Sequence, residues 1–303
     1  MRTLVNAVFC AAVPDFVEDG GVVDVGVAGP KDGIPLVFHH GTPMSLILFE
    51  PFVEAAVSRG LRYVSYSRPG YGNSTRQPGR TIADCSKDTA DILDQLGADR
   101  CYVMGWSGGG PHASACAALL PKHVIAASTI AGVAPWGSPD LDWMADMGKE
   151  NVEEFTAALA GPDELRLFLE RAALMLAQAT GDQIIASLGE LIAEVDKAAL
   201  KGEVGVFFAE NNREALMNGF WGWFDDDIAF SRDWGFNLSR INVPVNVWQG
   251  AKDRMVPFAH GRWLSEHIPD ARAHMLPDQG HLSLAISSFS KTLDDLIASD
   301  KSV

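Results

Sequence analysis

Basic residues are scarce in this chain. Its 24 lysines and arginines face 39 aspartates and glutamates, a formal charge of −15. So acidic a protein repels phosphate backbones, and no basic cluster offsets the charge, which excludes nucleic acid as a partner. Long apolar runs are also missing. None approaches the roughly 20 residues of a membrane span, so transmembrane anchoring is excluded. The opening Met1-Arg2-Thr3, followed by an apolar stretch over 4–12, has the order of a short export signal, but Asn6 interrupts it and a cytoplasmic location is expected. Cysteine is sparse too. Cys10, Cys85, Cys101 and Cys116 lack metal-type spacing and read as reduced, buried thiols. No repeats or low-complexity linkers appear.

What is present is an ordinary globular composition: 303 residues, 47% hydrophobic and 21% charged, enough for one large core or a core with an insertion. Short apolar runs at 34–39, 61–66, 100–104 and 124–130 read as strands, with helical stretches at 48–59 and 82–96 between them. Strands alternating with helices imply a mostly parallel sheet covered on both faces. From 135 to 234 the strands stop. Helix signals follow one another instead: Ser138-Pro139 as a start, Asn151 with Glu154 as a capping box, and Gly161-Pro162 as a stop and restart. Strand patterns resume at 243–248 and 271–276, with helices at 258–267 and from Leu282. The expected organisation is a core over 1–134 and 235–303 with a helical cap over 135–234.

The stretch Gly105-Trp106-Ser107-Gly108-Gly109-Gly110 lies where a strand gives way to a small-residue helix. Glycines on both sides let strand and helix backbones approach while the corner holds a serine hydroxyl up and exposed. A serine hydroxyl needs an imidazole to take its proton and a buried carboxylate to orient that imidazole. In open parallel sheets such partners stand in loops after strand carboxyl ends. Gln249-Gly250-Ala251-Lys252-Asp253 and Pro277-Asp278-Gln279-Gly280-His281 occupy those loops, in the order Ser, Asp, His. A fourth stretch, His39-His40-Gly41-Thr42-Pro43, offers the second oxyanion donor at Thr42 beside the N–H of Gly108. No metal site is expected, because adjacent strand histidines point to opposite faces and no third ligand is apparent.

Together these stretches resemble the α/β-hydrolase fold family, in its bacterial single-chain branch with a helical cap. HHGTP matches the oxyanion loop, YSRPGYGNS the loop after the next strand, GWSGGGPHA the elbow, GAKDRMVP the acid loop and QGH the base loop. The resemblance implies Ser107 as nucleophile, Asp253 as acid, His281 as base and no cofactor. Ser67 departs from the aspartate that relatives commonly carry there, so no role transfers from that loop. A serine at 107 excludes epoxide hydrolases and haloalkane dehalogenases, which need a carboxylate nucleophile. Tyr63, Tyr66, Tyr71 and Tyr102, the only tyrosines, all precede the cap, which again excludes epoxide opening.

The expected activity is esterase-like cleavage of a carboxylic ester or lactone in an uncharged, fairly apolar small molecule. Trp106, Trp136, Trp143, Trp221 and Met255 are the expected substrate-binding residues. A homodimer is left open. Four alternatives remain: cofactor-free perhydrolysis or haloperoxidation, carbon–carbon bond hydrolysis, an aminopeptidase, and a non-catalytic ligand receptor. His112 is expected to be a structural hydrogen bonder. Asp140 and Asp142 rank behind Asp253 as the acid because they look like dipole-complementing residues at a helix start. Asp225-Asp226-Asp227 reads as a solvated turn.

Overall fold

The computed structural model describes residues 8–9, 21–180, 183, 188–189 and 191–300. The export-like segment and Cys10 lie outside the described residues, apart from Val8–Phe9. At the centre is an eight-stranded sheet in the order β1-β2-β4-β3-β5-β6-β7-β8. The strands are β1 (Val8–Phe9), β2 (Val25–Ala28), β3 (Pro35–His39), β4 (Arg62–Tyr66), β5 (Cys101–Trp106), β6 (Val124–Ile130), β7 (Val245–Gly250) and β8 (Arg272–Leu276). From β4 to β8 every neighbouring pair is parallel, while β1 and β2 add an antiparallel edge.

The central strands are buried along their whole length because helices cover both faces. Alternation divides their side chains. Val37, Val64, Val103 and Val247 join α2 (Cys85–Leu96), α3 (Gly109–Leu119) and α9 (Phe258–His267) in one core. Leu36, Phe38, Tyr63 and Met104 join α1 (Glu50–Val57) and α10 (His281–Ile297) in the other. Burying each such side chain stabilises the fold by about 1.5–3 kcal/mol.

Between β6 and β7 stand the cap helices α4 (Lys149–Ala160), α5 (Pro162–Gln178), α6 (Glu194–Ala199), α7 (Glu203–Ala215) and α8 (Trp221–Phe230). They bury Leu165, Leu169, Leu216, Trp223 and Ile228 among themselves and close over Tyr71 of the core. Two expectations fail here. Ser138-Pro139 starts no helix: residues 135–148 run as turns, pinned where Trp143 Nε1 donates to the Ala134 carbonyl at 2.6 Å. Asn151 and Glu154 form no capping box, because α4 begins before them, at Lys149. Asn151 instead donates to the Met255 carbonyl and Glu154 turns toward Trp223.

Candidate active site

Ser107 joins β5 to α3 with φ +55, a left-handed conformation that costs a non-glycine residue about 1–3 kcal/mol. The turn is held from both sides. The Ser107 N–H donates to the Ile130 carbonyl and its carbonyl accepts from Gly110 N–H, both at 2.8 Å. Bare backbones make the approach possible: a Cβ at Gly105 would strike the Gly109 carbonyl, and one at Gly109 the His39 carbonyl.

The loops after β7 and β8 bring Asp253 and His281 together. His281 Nδ1 and Asp253 Oδ2 are 2.8 Å apart, both side chains almost wholly buried. The carboxylate is fixed on its other side, where Met255 and Val256 N–H groups donate to Oδ1 at 2.9 Å and Gln249 Nε2 donates to Oδ2 at 3.1 Å. Burial alone would lower the His281 pKa. The charges of Asp253 and Asp196, with the Asp253 hydrogen bond, overcome it and raise the pKa above the ordinary imidazole value. Asp140 and Asp142 stay exposed in the loop after β6.

Thr42 lies beside Gly108, whose missing Cβ gives the threonine side chain its room. The Thr42 hydroxyl donates to Asp226 Oδ2 at 2.6 Å and accepts from Arg68 Nη2 at 3.1 Å, so the donor this residue can offer a ligand is its main-chain N–H. Ser67, the departure in the loop after β4, accepts from Leu46 N–H and helps seat the segment after Thr42. His112 Nδ1–H donates to the Gly108 carbonyl at 2.8 Å, fully buried.

The three consecutive aspartates correct the sequence reading. They lie on α8, all buried, and each meets a different partner because a helix turns about 100° per residue. Asp225 takes both ends of Arg76 at 2.8 and 2.9 Å. Asp226 pairs with Arg68 at 2.6 Å and Arg80 at 2.7 Å and accepts from Tyr71 at 2.8 Å. Burial would raise its pKa, but the two guanidiniums hold it well below the usual carboxylate range. Asp227 lies against Glu154, whose Oε1 accepts from Trp223 Nε1 at 2.7 Å. Burial lifts Glu154 to about 7, and burial together with Glu154 lifts Asp227 well above the carboxylate range, so this pair holds protons near neutrality.

Two cavities meet at Ser107. The larger, about 520 Å³, rises into the cap from Ser107, Thr42 and Gly108 to Phe155, Phe168, Met175 and Trp223, with Met255 at one wall. Glu154 and Asp227 open onto it. The smaller, about 90 Å³, holds Ser107 and His281 with Gly41 and Trp106. Of the five expected substrate residues, Trp106 and Met255 therefore reach the cavities. Trp136, Trp143 and Trp221 line neither. Trp143 is packed between Phe155 and His260 with Trp136 on its edge, and Trp221 lies under the Arg76 guanidinium at 4.0 Å. No cluster of three or more metal-ligating side chains occurs among the described residues.

Fold and site together define an α/β-hydrolase with an inserted helical cap. The chain belongs to the alpha/beta hydrolase fold family, whose sequence profile matches residues 34–286. It is 28% identical to a non-heme chloroperoxidase of Streptomyces lividans over 234 residues, 76% of this chain and 78% of that one. It is 27% identical to a rhodomycin D methylesterase of Streptomyces peucetius over 278 residues, covering 86% and 89%. The fold matches that of a hydrolase from Pseudomonas aeruginosa with a TM-score of 0.68 at 21% identity, covering 95% of this chain and 98% of that chain. No helix among the described residues is long and apolar enough to cross a membrane.

Proposed function

We propose that this protein is a serine hydrolase that cleaves a carboxylic ester or lactone in an uncharged, fairly apolar small molecule through an acyl-enzyme on Ser107. The observation that carries the reading is the buried 2.8 Å contact between His281 and Asp253, on the cavity that Ser107 shares. Neutral His281, its Nδ1–H held by Asp253, takes the Ser107 proton at Nε2 as Oγ attacks the substrate carbonyl. The main-chain N–H groups of Thr42 and Gly108 receive the oxyanion. Collapse breaks the ester C–O bond, and the imidazolium returns its proton to the departing alcohol oxygen. Water, deprotonated by the same imidazole, then attacks the acyl-enzyme and releases the acid and Ser107.

The mostly apolar walls of the cap cavity support an apolar acyl or alcohol group, with Trp106 and Met255 in contact with substrate. Labelling with a fluorophosphonate and mass mapping tests the nucleophile. Ser107 is expected to carry the label, and Ser107→Ala to lose it together with about 10⁶ in turnover while keeping its circular dichroism. Variant activity within tenfold of wild type would overturn the assignment.

A second reading rests on Glu154 and Asp227. Four carboxyl oxygens in the cavity wall share one indole donor and the protons they hold, so a substrate amine would complete their hydrogen bonds. Nitrophenyl esters of amino acids, compared with alkyl esters of equal size, separate the two: higher kcat/KM for the amino esters favours this reading, and the reverse order the first.

A further inference from the structure

The base is held from the cap as well as from the core. Asp196 lies on α6, wholly buried, and reaches across to the first turn of α10. Its Oδ2 accepts from the His281 N–H at 3.0 Å, and its Oδ1 from the N–H groups of Leu282 at 3.0 Å and Ser283 at 2.8 Å. These are three of the four N–H groups that a helix start leaves without partners inside the helix. A residue just before the first turn usually supplies the acceptor. Here that residue is Gly280, with no side-chain oxygen to offer. Its bareness is what admits the distant acid, since a Cβ on it would run into the Asp196 carboxyl group.

We propose that Asp196 is a positioning residue for His281: it fixes the first turn of the helix that carries the imidazole, so the ring stays on Asp253 and open to Ser107. This rests on reading His281 as the base. Geometry links the two residues through main chain, and charge links them through space. The charged groups facing His281 are Asp253 from the acid loop and Asp196 from the cap, while β5 brings the Trp106 ring to 5.7 Å and the imidazole's own helix adds the uncharged Leu282 and Ser283. Burial pulls the imidazole pKa down and both carboxylates push it up. Neutralising Asp196 therefore lowers it.

The test uses the full chain with Asp196→Asn, Asp196→Ala and Gly280→Ala, following nitrophenyl ester hydrolysis across pH 5–9 and the His281 ring titration by NMR. Asp196→Asn keeps one acceptor oxygen, enough for the N–H groups of Leu282 and Ser283, and carries no charge, so it should retain more kcat than Asp196→Ala while the acid limb of kcat/KM and the ring titration both move to lower pH. Asp196→Ala and Gly280→Ala should lose kcat ten- to a hundredfold, the scale of a misplaced catalytic group, with KM within about threefold. A His281 titration that stays in place in Asp196→Asn, or kcat within twofold of wild type in the two alanine variants, would overturn the proposal. Should wild type cleave no ester at all, it is the assignment of His281 as base that fails, and the ring titration still decides whether Asp196 acts on it.

Discussion

In the proposed mechanism, the strained backbone of Ser107 and the raised pKa of the His281 imidazole act in one step. The serine backbone is held in a left-handed corner by two main-chain hydrogen bonds, so in the proposed mechanism the nucleophile's position is set before substrate binds. The imidazole must be neutral to act as base. Because Asp253 and Asp196 raise its pKa against the pull of burial, protonation sets in above the ordinary value of 6.5. The acid limb of kcat/KM is therefore expected to have its midpoint above pH 6.5, measured with an uncharged ester so that only the enzyme titrates. A midpoint below 6.5 would mean that burial outweighs the two carboxylates.

Among the elements, α4 and α8 carry the cap's least expected chemistry. Glu154 on α4 and Asp227 on α8 hold protons that their unfolded counterparts release. For Glu154, burial raises the pKa from 4.5 to about 7, so the folded chain binds the extra proton between those values. Its stabilising share is present below pH 4.5 and is lost as pH rises through 7. Glu154→Gln keeps an acceptor for Trp223 but has no proton to lose. Its unfolding free energy should fall less than that of wild type between pH 5 and 8, by on the order of 2–3 kcal/mol, read from denaturant melts at each pH; parallel profiles would count against the shared-proton pair. None of this was legible in the sequence. Three adjacent aspartates look solvated when read locally, and only the fold brings Arg68, Arg76, Arg80 and Glu154 to them. Asp196 gave no signal either, since Glu194-Val195-Asp196-Lys197 has the charge pattern of an exposed helix. By contrast, although the loop after β6 was misread at Ser138-Pro139, the strands β3 to β8 were readable, because apolar runs ending in turn residues depend on neighbours in sequence. The edge strand β2 was not, because Asp24 and Gly26 interrupt its apolar run. A Cβ on Gly26 would press on the end of the Leu48 side chain.

For the whole molecule, cap and core are fastened at points that matter to the site. Asp226 ties α8 to Arg68, Arg80, Tyr71 and the Thr42 hydroxyl, and Asp196 ties α6 to the start of α10. Breaking the first tie leaves buried guanidiniums unpaired, which costs about 3–5 kcal/mol, so the cap does not detach at small expense. Unfolding in urea should accordingly give coincident curves by far-UV circular dichroism and tryptophan fluorescence, and separated curves would mark the cap as an independent unit. Both fastenings end on the proposed machinery, one on the oxyanion loop and one on the base helix. On the proposed mechanism, a copy whose cap has come loose is therefore expected to lose turnover along with selectivity, rather than to become an unselective hydrolase with a bared nucleophile.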